Sequence, residues 1–267
     1  MATRAAKLLA FDRPLAGASV VITRPSSTAD AIRRQVEALG GKPIGLPGIA
    51  LRAVADAGKA RRELRAARSA DIAVFISPAA VRFAWKLLPG LRFARTACVL
   101  APGAGSARAL RRRGVVASYP PERQDSDGLL DLPRLTRVRR RRIVLVGAAG
   151  GRDLLWRELR ARGARVQLIE VYRRTVPRLD RRHFAQLERA TGPLIGLFSS
   201  AEALTNLHMR MPSALFAHIA ASDCVVSGAR VAEVAHTLGF AHVHVATSAL
   251  PEALLAAACA ALARHRI

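Results

Sequence analysis

Ile143-Val144-Leu145-Val146-Gly147-Ala148-Ala149-Gly150-Gly151 is an apolar run that breaks into a glycine-rich turn. A run of this length reads as a buried strand, and the glycines end it. The helical pattern that follows buries Leu155 and Leu159 on one face and stops at Gly163. A second strand then runs from Val166 to Val171. The same plan stands near the start of the chain. Val20-Val21-Ile22-Thr23 leads into the turn Arg24-Pro25-Ser26-Ser27. A helix follows with Ile32, Val36 and Leu39 on one face, ends at Gly40-Gly41, and gives way to a short strand toward Leu46-Pro47. Asp30 matches Asp153, and Gly40 matches Gly163.

Working outward, the repeat extends. Ile72-Ala73-Val74-Phe75-Ile76-Ser77-Pro78 pairs with Leu194-Ile195-Gly196-Leu197-Phe198-Ser199-Ser200. Cys98-Val99-Leu100 with Gly103-Ala104-Gly105-Ser106-Ala107 pairs with Cys224-Val225-Val226 and Gly228-Ala229-Arg230-Val231-Ala232, and both helices stop at a glycine, Gly114 and Gly239. Asp127-Gly128-Leu129-Leu130 echoes Glu252-Ala253-Leu254-Leu255. Strands alternating with helices predict parallel sheets covered on both faces. The expected fold is α/β, two similar flavodoxin-like, doubly wound lobes with a cleft between them. Ligands of such folds sit outside the carboxyl ends of the strands. There lie the turns Arg24–Ser27, Ser77–Pro78, Gly103–Ser106, Gly147–Gly151, Ser199–Ser200 and Gly228–Arg230, each expected to open a helix whose free N–H groups suit an anion. Taken singly, such residues serve as caps; six turns on one cleft suggest an anion site.

Composition narrows the partner. Lys+Arg is 43 against Asp+Glu 19, a formal charge of +24, and only Lys7, Lys42, Lys59 and Lys86 are lysines. Such a field favours anions. An aromatic content of 4% argues against a stacking platform for single-stranded nucleic acid, and no DNA- or RNA-recognition signature is present. Cys98, Cys224 and Cys259 form no CxxC pair, which fits a reducing compartment. His242 and His244 can share a strand face but lack a third ligand, so no metal site is expected. No apolar run reaches the roughly 18 residues of a membrane span. Residues 1–14 lack the apolar core of a signal peptide, so the expected location is the cytoplasm.

Gly147–Gly151 is not GxGxxG, and no Walker loop, nucleophile elbow or carboxylate pair occurs. The arginine runs Arg111–Arg113 and Arg139–Arg142 read as solvated surface. The final helix, Pro251 to Arg264, reads as core.

These residues together resemble the uroporphyrinogen-III synthase family of tetrapyrrole biosynthesis. The resemblance rests on Thr23-Arg24-Pro25; on Asp71, Phe75, Ser77, Ala80 and Val81; on Gly147, Gly150, Gly151 and Arg152; on Gly163-Ala164-Arg165-Val166; on Val171-Tyr172-Arg173; on Phe198-Ser199-Ser200; and on Gly239-Phe240. It spans about residues 17 to 260. It implies that residues 1–45 and 177–267 form one lobe and 52–170 the other, joined by linker strands at 46–51 and 171–176. It also implies a reaction: hydroxymethylbilane loses its terminal hydroxyl, the azafulvene is attacked through a spiro intermediate, and the last ring is inverted in uroporphyrinogen III. No cofactor or metal is implied. Tyr172 is the implied acid, since a phenol stays protonated at neutral pH; the plainer alternative is a tyrosine packed against the linker. Substrate contacts are implied at Arg24, Ser77, Pro78, Gly103, Ser106, Gly150, Gly151, Arg152, Ser199, Ser200 and Gly228. The segment Gly228–Ala232 lacks the threonine common in the family, leaving its backbone N–H groups. The expected partner is the polycarboxylate hydroxymethylbilane, bound by a monomer, with neither nucleic acid nor membrane involved.

Two other readings compete. A non-catalytic basic protein would bind nucleic acid or another polyanion with steep salt dependence. A two-lobed sugar or nucleotide binder of the periplasmic type would need a signal peptide.

Overall fold

A computed structural model describes residues 13–148 and 153–264. In chain order the elements are β1 (Ser19–Ile22), α1 (Asp30–Ala38), β2 (Lys42–Gly45), β3 (Ala50–Ala53), α2 (Ala57–Ala66), β4 (Ile72–Phe75), α3 (Pro78–Leu87), β5 (Cys98–Leu100), α4 (Ala104–Arg111), α5 (Ser126–Leu130) and α6 (Pro133–Thr136). They continue with β6 (Arg142–Ala148), α7 (Asp153–Ala161), β7 (Arg165–Thr175), α8 (Arg181–Glu188), β8 (Leu194–Phe198), α9 (Ala201–Arg210), α10 (Ser213–Ala220), β9 (Asp223–Val226), α11 (Ala229–Thr237), β10 (His242–Val245) and α12 (Pro251–Arg264). The chain divides into two units. One combines the residues up to Ala50 with those from Thr175 onward, and the other is Leu51–Arg174.

The discontinuous unit holds a five-stranded sheet in the order β10-β9-β8-β1-β2, with every pairing parallel. Counted from β1 this is the 2-1-3-4-5 order of a flavodoxin-like sheet. Side chains alternate across it. Val21, Ile44, Cys224 and Val226 enter one core layer, while Val20, Ile22, Ile195, Leu197 and Val225 enter the other. Both faces are thereby covered, which explains why these strands read as unbroken apolar runs. The segment after β2 stays on this unit. Leu46 and Ile49 are buried, Gly48 N–H donates to the Thr23 carbonyl at 2.9 Å, and the buried Asn206 amide donates to the Gly48 carbonyl at 2.9 Å.

The continuous unit holds a second sheet, in the order β3-β7-β6-β4-β5. Matching β6 with β1, β7 with β2, β4 with β8 and β5 with β9 superposes the two orders, so the internal repeat is a repeat of topology. The match to β10 is a single parallel bridge, Leu100 to Ser118. Its core again lies in two layers, Ala73, Phe75, Val144, Val146, Ile169 and Val171 on one face and Ile72, Val74, Leu100, Ile143 and Leu145 on the other.

Two local features depart from the sequence reading. The turn after β1 opens a short 3-10 turn, Ser26–Thr28, before the α-helix begins at Asp30. Pro25 is extended there at ψ 132°, and no side chain caps the turn. The strand expected at Val166–Val171 and the linker strand expected at 171–176 form one strand, β7, and it carries a register shift, with Gly147 opposite Glu170 but Ala148 opposite Tyr172. One extra residue on β7 therefore lets Val171 and Tyr172, neighbours in sequence, both turn into the core.

Candidate functional site

In the continuous unit the expected residues gather at the carboxyl ends of β4, β5, β6 and β7. Ser77 follows β4 in extended conformation and caps α3, its Oγ accepting the Ala80 N–H at 3.0 Å. Pro78 takes the first helical position, where its fixed φ costs no hydrogen bond. The Ser77 Oγ also lies 3.1 Å from the Tyr172 hydroxyl, and either can donate. The Tyr172 ring stacks on Phe83 of α3, with centroids 5.3 Å apart and planes 20° from parallel. The Arg82 guanidinium stands 5.3 Å from the Phe83 ring centre. Tyr172 is only 4% exposed, so the ring is held in place. The β7 bulge makes this meeting possible. With regular alternation Tyr172 would share the exposed face of Glu170.

At the next turn, Gly103 precedes α4. Gln124 Oε1 accepts the Ala104 N–H at 2.9 Å, and a Cβ on Gly103 would come within 2.6 Å of that same oxygen. Gly103 is therefore required by close approach, and one helix-opening N–H is already satisfied within the protein. Ser106 is 4% exposed, as buried as Tyr172 and more so than Ser77, Ser199 and Ser200. A Cβ on Gly147 would lie 2.1 Å from Ile76 Cδ1, which explains the first glycine of that turn. Gly150, Gly151 and Arg152 lie outside the described residues.

In the discontinuous unit, Thr23 is buried and its Oγ1 donates to the Leu197 carbonyl at 2.7 Å, fastening β1 to β8 where the strand order reverses. Arg24 is half-buried, and its Nη2 donates to the Ala249 carbonyl. Its Nε is buried and meets no acceptor among the described residues. Burial lowers the guanidinium pKa, and the charge of Glu252 opposes that shift. Ser199 and Ser200 follow β8, both partly exposed; Ser200 precedes α9 without a side-chain capping bond. Gly228 precedes α11 in the same way, and a Cβ there would meet nothing within 4 Å. The first turns of α9 and α11 thus keep backbone donors that no N-cap side chain fills.

Phe83 and Gln124 were absent from the sequence reading. Phe83 sits in an apolar helical pattern that gave no reason to single it out, and Gln124 lies in an exposed loop with no motif. His244, considered there as a ligand, instead bonds Asp223 Oδ1 through Nε2 at 2.7 Å. Among the described residues no group of three His, Cys, Asp or Glu could hold a metal ion, and no helix is long and apolar enough to cross a membrane.

A family model described as uroporphyrinogen-III synthase HemD matches residues 30–256. The uroporphyrinogen-III synthase of Salmonella typhimurium is 30% identical over 243 residues, 90% of this chain and 99% of the relative. That of Escherichia coli is 29% identical over 243 residues with the same coverage. Among solved structures, a mutant uroporphyrinogen III synthase from Thermus thermophilus aligns with TM-score 0.58 at 22% identity, covering 92% of this chain and 99% of that one. The Helicobacter pylori enzyme aligns with TM-score 0.57 at 13% identity, with the same coverage. These two likenesses establish the fold. The family match, which takes in most of both units, establishes the lineage: the chain belongs to the uroporphyrinogen-III synthase family.

Proposed function

We propose that this chain closes hydroxymethylbilane to uroporphyrinogen III, and that Tyr172 is the acid of the reaction. The observation that carries the second part is the Tyr172–Ser77 hydrogen bond at the carboxyl end of a parallel sheet, where such folds take their ligands. The Ser77 oxygen already accepts the Ala80 N–H, and its own proton is free for the phenol oxygen. Tyr172 then has its proton to give and a donor to steady the charge left behind. The bond from the terminal carbon to its hydroxyl breaks, the phenol proton leaves with that oxygen as water, and the pyrrole nitrogen supplies the electrons that form the azafulvene. The substituted carbon of the last ring attacks to give the spiro intermediate. Fragmentation and reclosure invert the ring, and loss of one proton restores aromaticity and can return the phenol to its starting state.

The substrate's carboxylates are matched by donors of two kinds. Ser199, Ser200 and the open first turns of α9 and α11 offer neutral N–H and O–H groups, and Arg24 offers a cation. Arg152, Gly150 and Gly151 complete the set by family resemblance. Holding a flexible linear tetrapyrrole folded makes closure effectively unimolecular. The reading brings with it a monomer acting on a small molecule in the cytoplasm, in keeping with three cysteines that remain free thiols.

The test is to mix the purified protein with freshly made hydroxymethylbilane, oxidise the products and separate the isomers. The type III isomer is expected to dominate. Only the uninverted type I isomer, formed at the uncatalysed rate, would overturn the assignment.

A further inference from the structure

The synthase reading uses the carboxyl edge of the sheet in Leu51–Arg174 and leaves the opposite edge unexplained. Charge is concentrated in this unit, which holds 28 of the 43 Lys and Arg residues and 10 of the 19 Asp and Glu. At the amino-terminal edge, β6 begins at Arg142 and β7 at Arg165, and α7 ends just before β7. A depression of about 510 Å³ opens there, lined by Ala66, Arg142, Arg160, Ala164, Arg165 and Gln167 over the first residues of the two strands.

The depression has a consistent chemistry. Arg142, Arg160, Arg165 and Gln167 are all exposed. The Arg160 guanidinium is held over the Trp156 ring at 4.5 Å, and Arg142 Nη2 donates to Ser69 Oγ at 3.1 Å. One carboxylate, Asp71, stands at the rim and is shared between Arg141 and Arg142. Asp71 takes Arg141 at 3.2 Å and the Arg142 backbone N–H at 2.7 Å, and Glu63 faces Lys59. Among the described residues no ion pair joins a carboxylate to the side chains of Arg142, Arg160 or Arg165. Arg139, Arg140 and Arg141 stand beside the rim. Arg140 is the one described non-glycine residue with positive φ, 63°, and its turn is tied to the loop after α7 by Arg140 N–H to the Gly163 carbonyl and Arg165 N–H to the Arg141 carbonyl, both 2.8 Å.

Three lining arginines with one carboxylate, Asp71, at the rim leave a net positive charge at the depression, and such a field favours an anion. The cluster is arginine throughout, and the planar guanidinium fork fits phosphate oxygens in pairs. Trp156, 38% exposed, packs under Arg160 beside the lining, but the lining's own exposed side chains, Arg142, Arg160, Arg165 and Gln167, are polar and unlike the apolar anchors a protein partner uses. We propose that this depression binds a phosphate-chain anion, at a site distinct from the synthase site. The shared chemistry is a run of phosphates, supplied either by a free oligophosphate or by a nucleic-acid backbone.

The experiment titrates the full-length protein with sodium tripolyphosphate by calorimetry and with a duplex DNA of about 20 base pairs by anisotropy, across roughly 50 to 200 mM salt. Citrate serves as a carboxylate control. At least one phosphate probe is expected to bind, and the Arg160→Glu/Arg165→Glu variant to lose at least about tenfold in affinity with a shallower salt dependence. Arg160→Lys/Arg165→Lys, which keeps the charge but not the fork, is expected to fall between. Binding of tripolyphosphate identifies the free ligand, and binding of the duplex alone identifies the backbone. No binding of either probe at physiological salt, unchanged affinity in the charge-reversed variant, or an equal response to citrate overturns the proposal. Thermal melting monitors folding, and Arg160→Ala/Arg165→Ala replaces the reversal should that variant not fold. Because both arginines lie away from the synthase residues, isomer formation is expected to stay at the wild-type rate. The binding result stands whether or not the synthase assignment does.

Discussion

Tyr172→Phe removes one oxygen and leaves the ring where it is. The stack on Phe83 and the buried position in the core survive, because neither uses the hydroxyl. What is lost from the fold is one neutral hydrogen bond, to Ser77 at 3.1 Å, worth about 1 kcal/mol. For a chain of this size that lowers the melting temperature by roughly 2–4 °C. Loss of a general acid is a larger effect, about 10²- to 10⁴-fold in rate, or roughly 2.7–5.5 kcal/mol of barrier. The two roles therefore separate by magnitude. The assay follows type III isomer formation under single-turnover conditions beside a thermal melt. The expected result is a rate loss of at least about a hundredfold with a small melting shift. A rate within about threefold of wild type would leave Tyr172 a packing residue and refute its catalytic role.

Phe83 holds the tyrosine rather than touching substrate, so Phe83→Leu should slow turnover in the wild-type background and have little further effect on rate in the Tyr172→Phe background; additive losses in that double-mutant cycle would argue against positioning. Asp71 should make stability pH-dependent. The Arg142 backbone N–H, with further help from the Arg141 hydrogen bond and the charges of Arg141 and Arg142, holds its carboxyl below the usual range against an opposing desolvation. Its stabilisation is thus present above the unfolded-chain value near about 4 and is lost as pH falls through the lower folded value. Asp71→Asn is expected to melt below wild type at pH 7, with the gap closing in strongly acid solution; a gap that stays constant with pH would count against the assignment. Burial, then the nearby charge of Asp223, pushes the Cys224 thiol up to about 12. A thiol reagent at pH 8 should leave Cys224 unmodified in the native protein and label it only after denaturation; rapid native-state labelling at that site would show the burial to be wrong.

Much of the architecture was legible because its causes are local. Val20–Ile22 and Ile143–Val146 are buried on both faces, and such strands must be apolar without interruption. Ser77 and Pro78 occupy a cap and a first helical position, each with its own sequence preference. The site was less legible because its geometry is made by pairs distant in sequence. Nothing near residue 124 announces that Gln124 will cap α4, or that Gly103 must lack a side chain to admit it. Arg24 could be either a substrate contact or a structural partner on its sequence, and one of its donors is engaged by the Ala249 carbonyl, a partner 225 residues away.

By itself the sequence determined the period and order of the repeated strand-helix blocks, since strand and helix formation follow from which faces of a short segment are apolar. It also carried the motifs that place the chain in its family. Tertiary structure alone decided which blocks share a sheet. β1 pairs with β2 close by and with β8 at Leu194–Phe198, so the unit that begins the chain is completed only near its end. Tertiary structure also decided where Tyr172 points. Two adjacent apolar residues, Val171 and Tyr172, would ordinarily face opposite sides of a strand. The register shift against Gly147 and Ala148 turns both inward and brings the phenol to Ser77, because strand pairing sets side-chain direction and pairing is a property of two segments, not one.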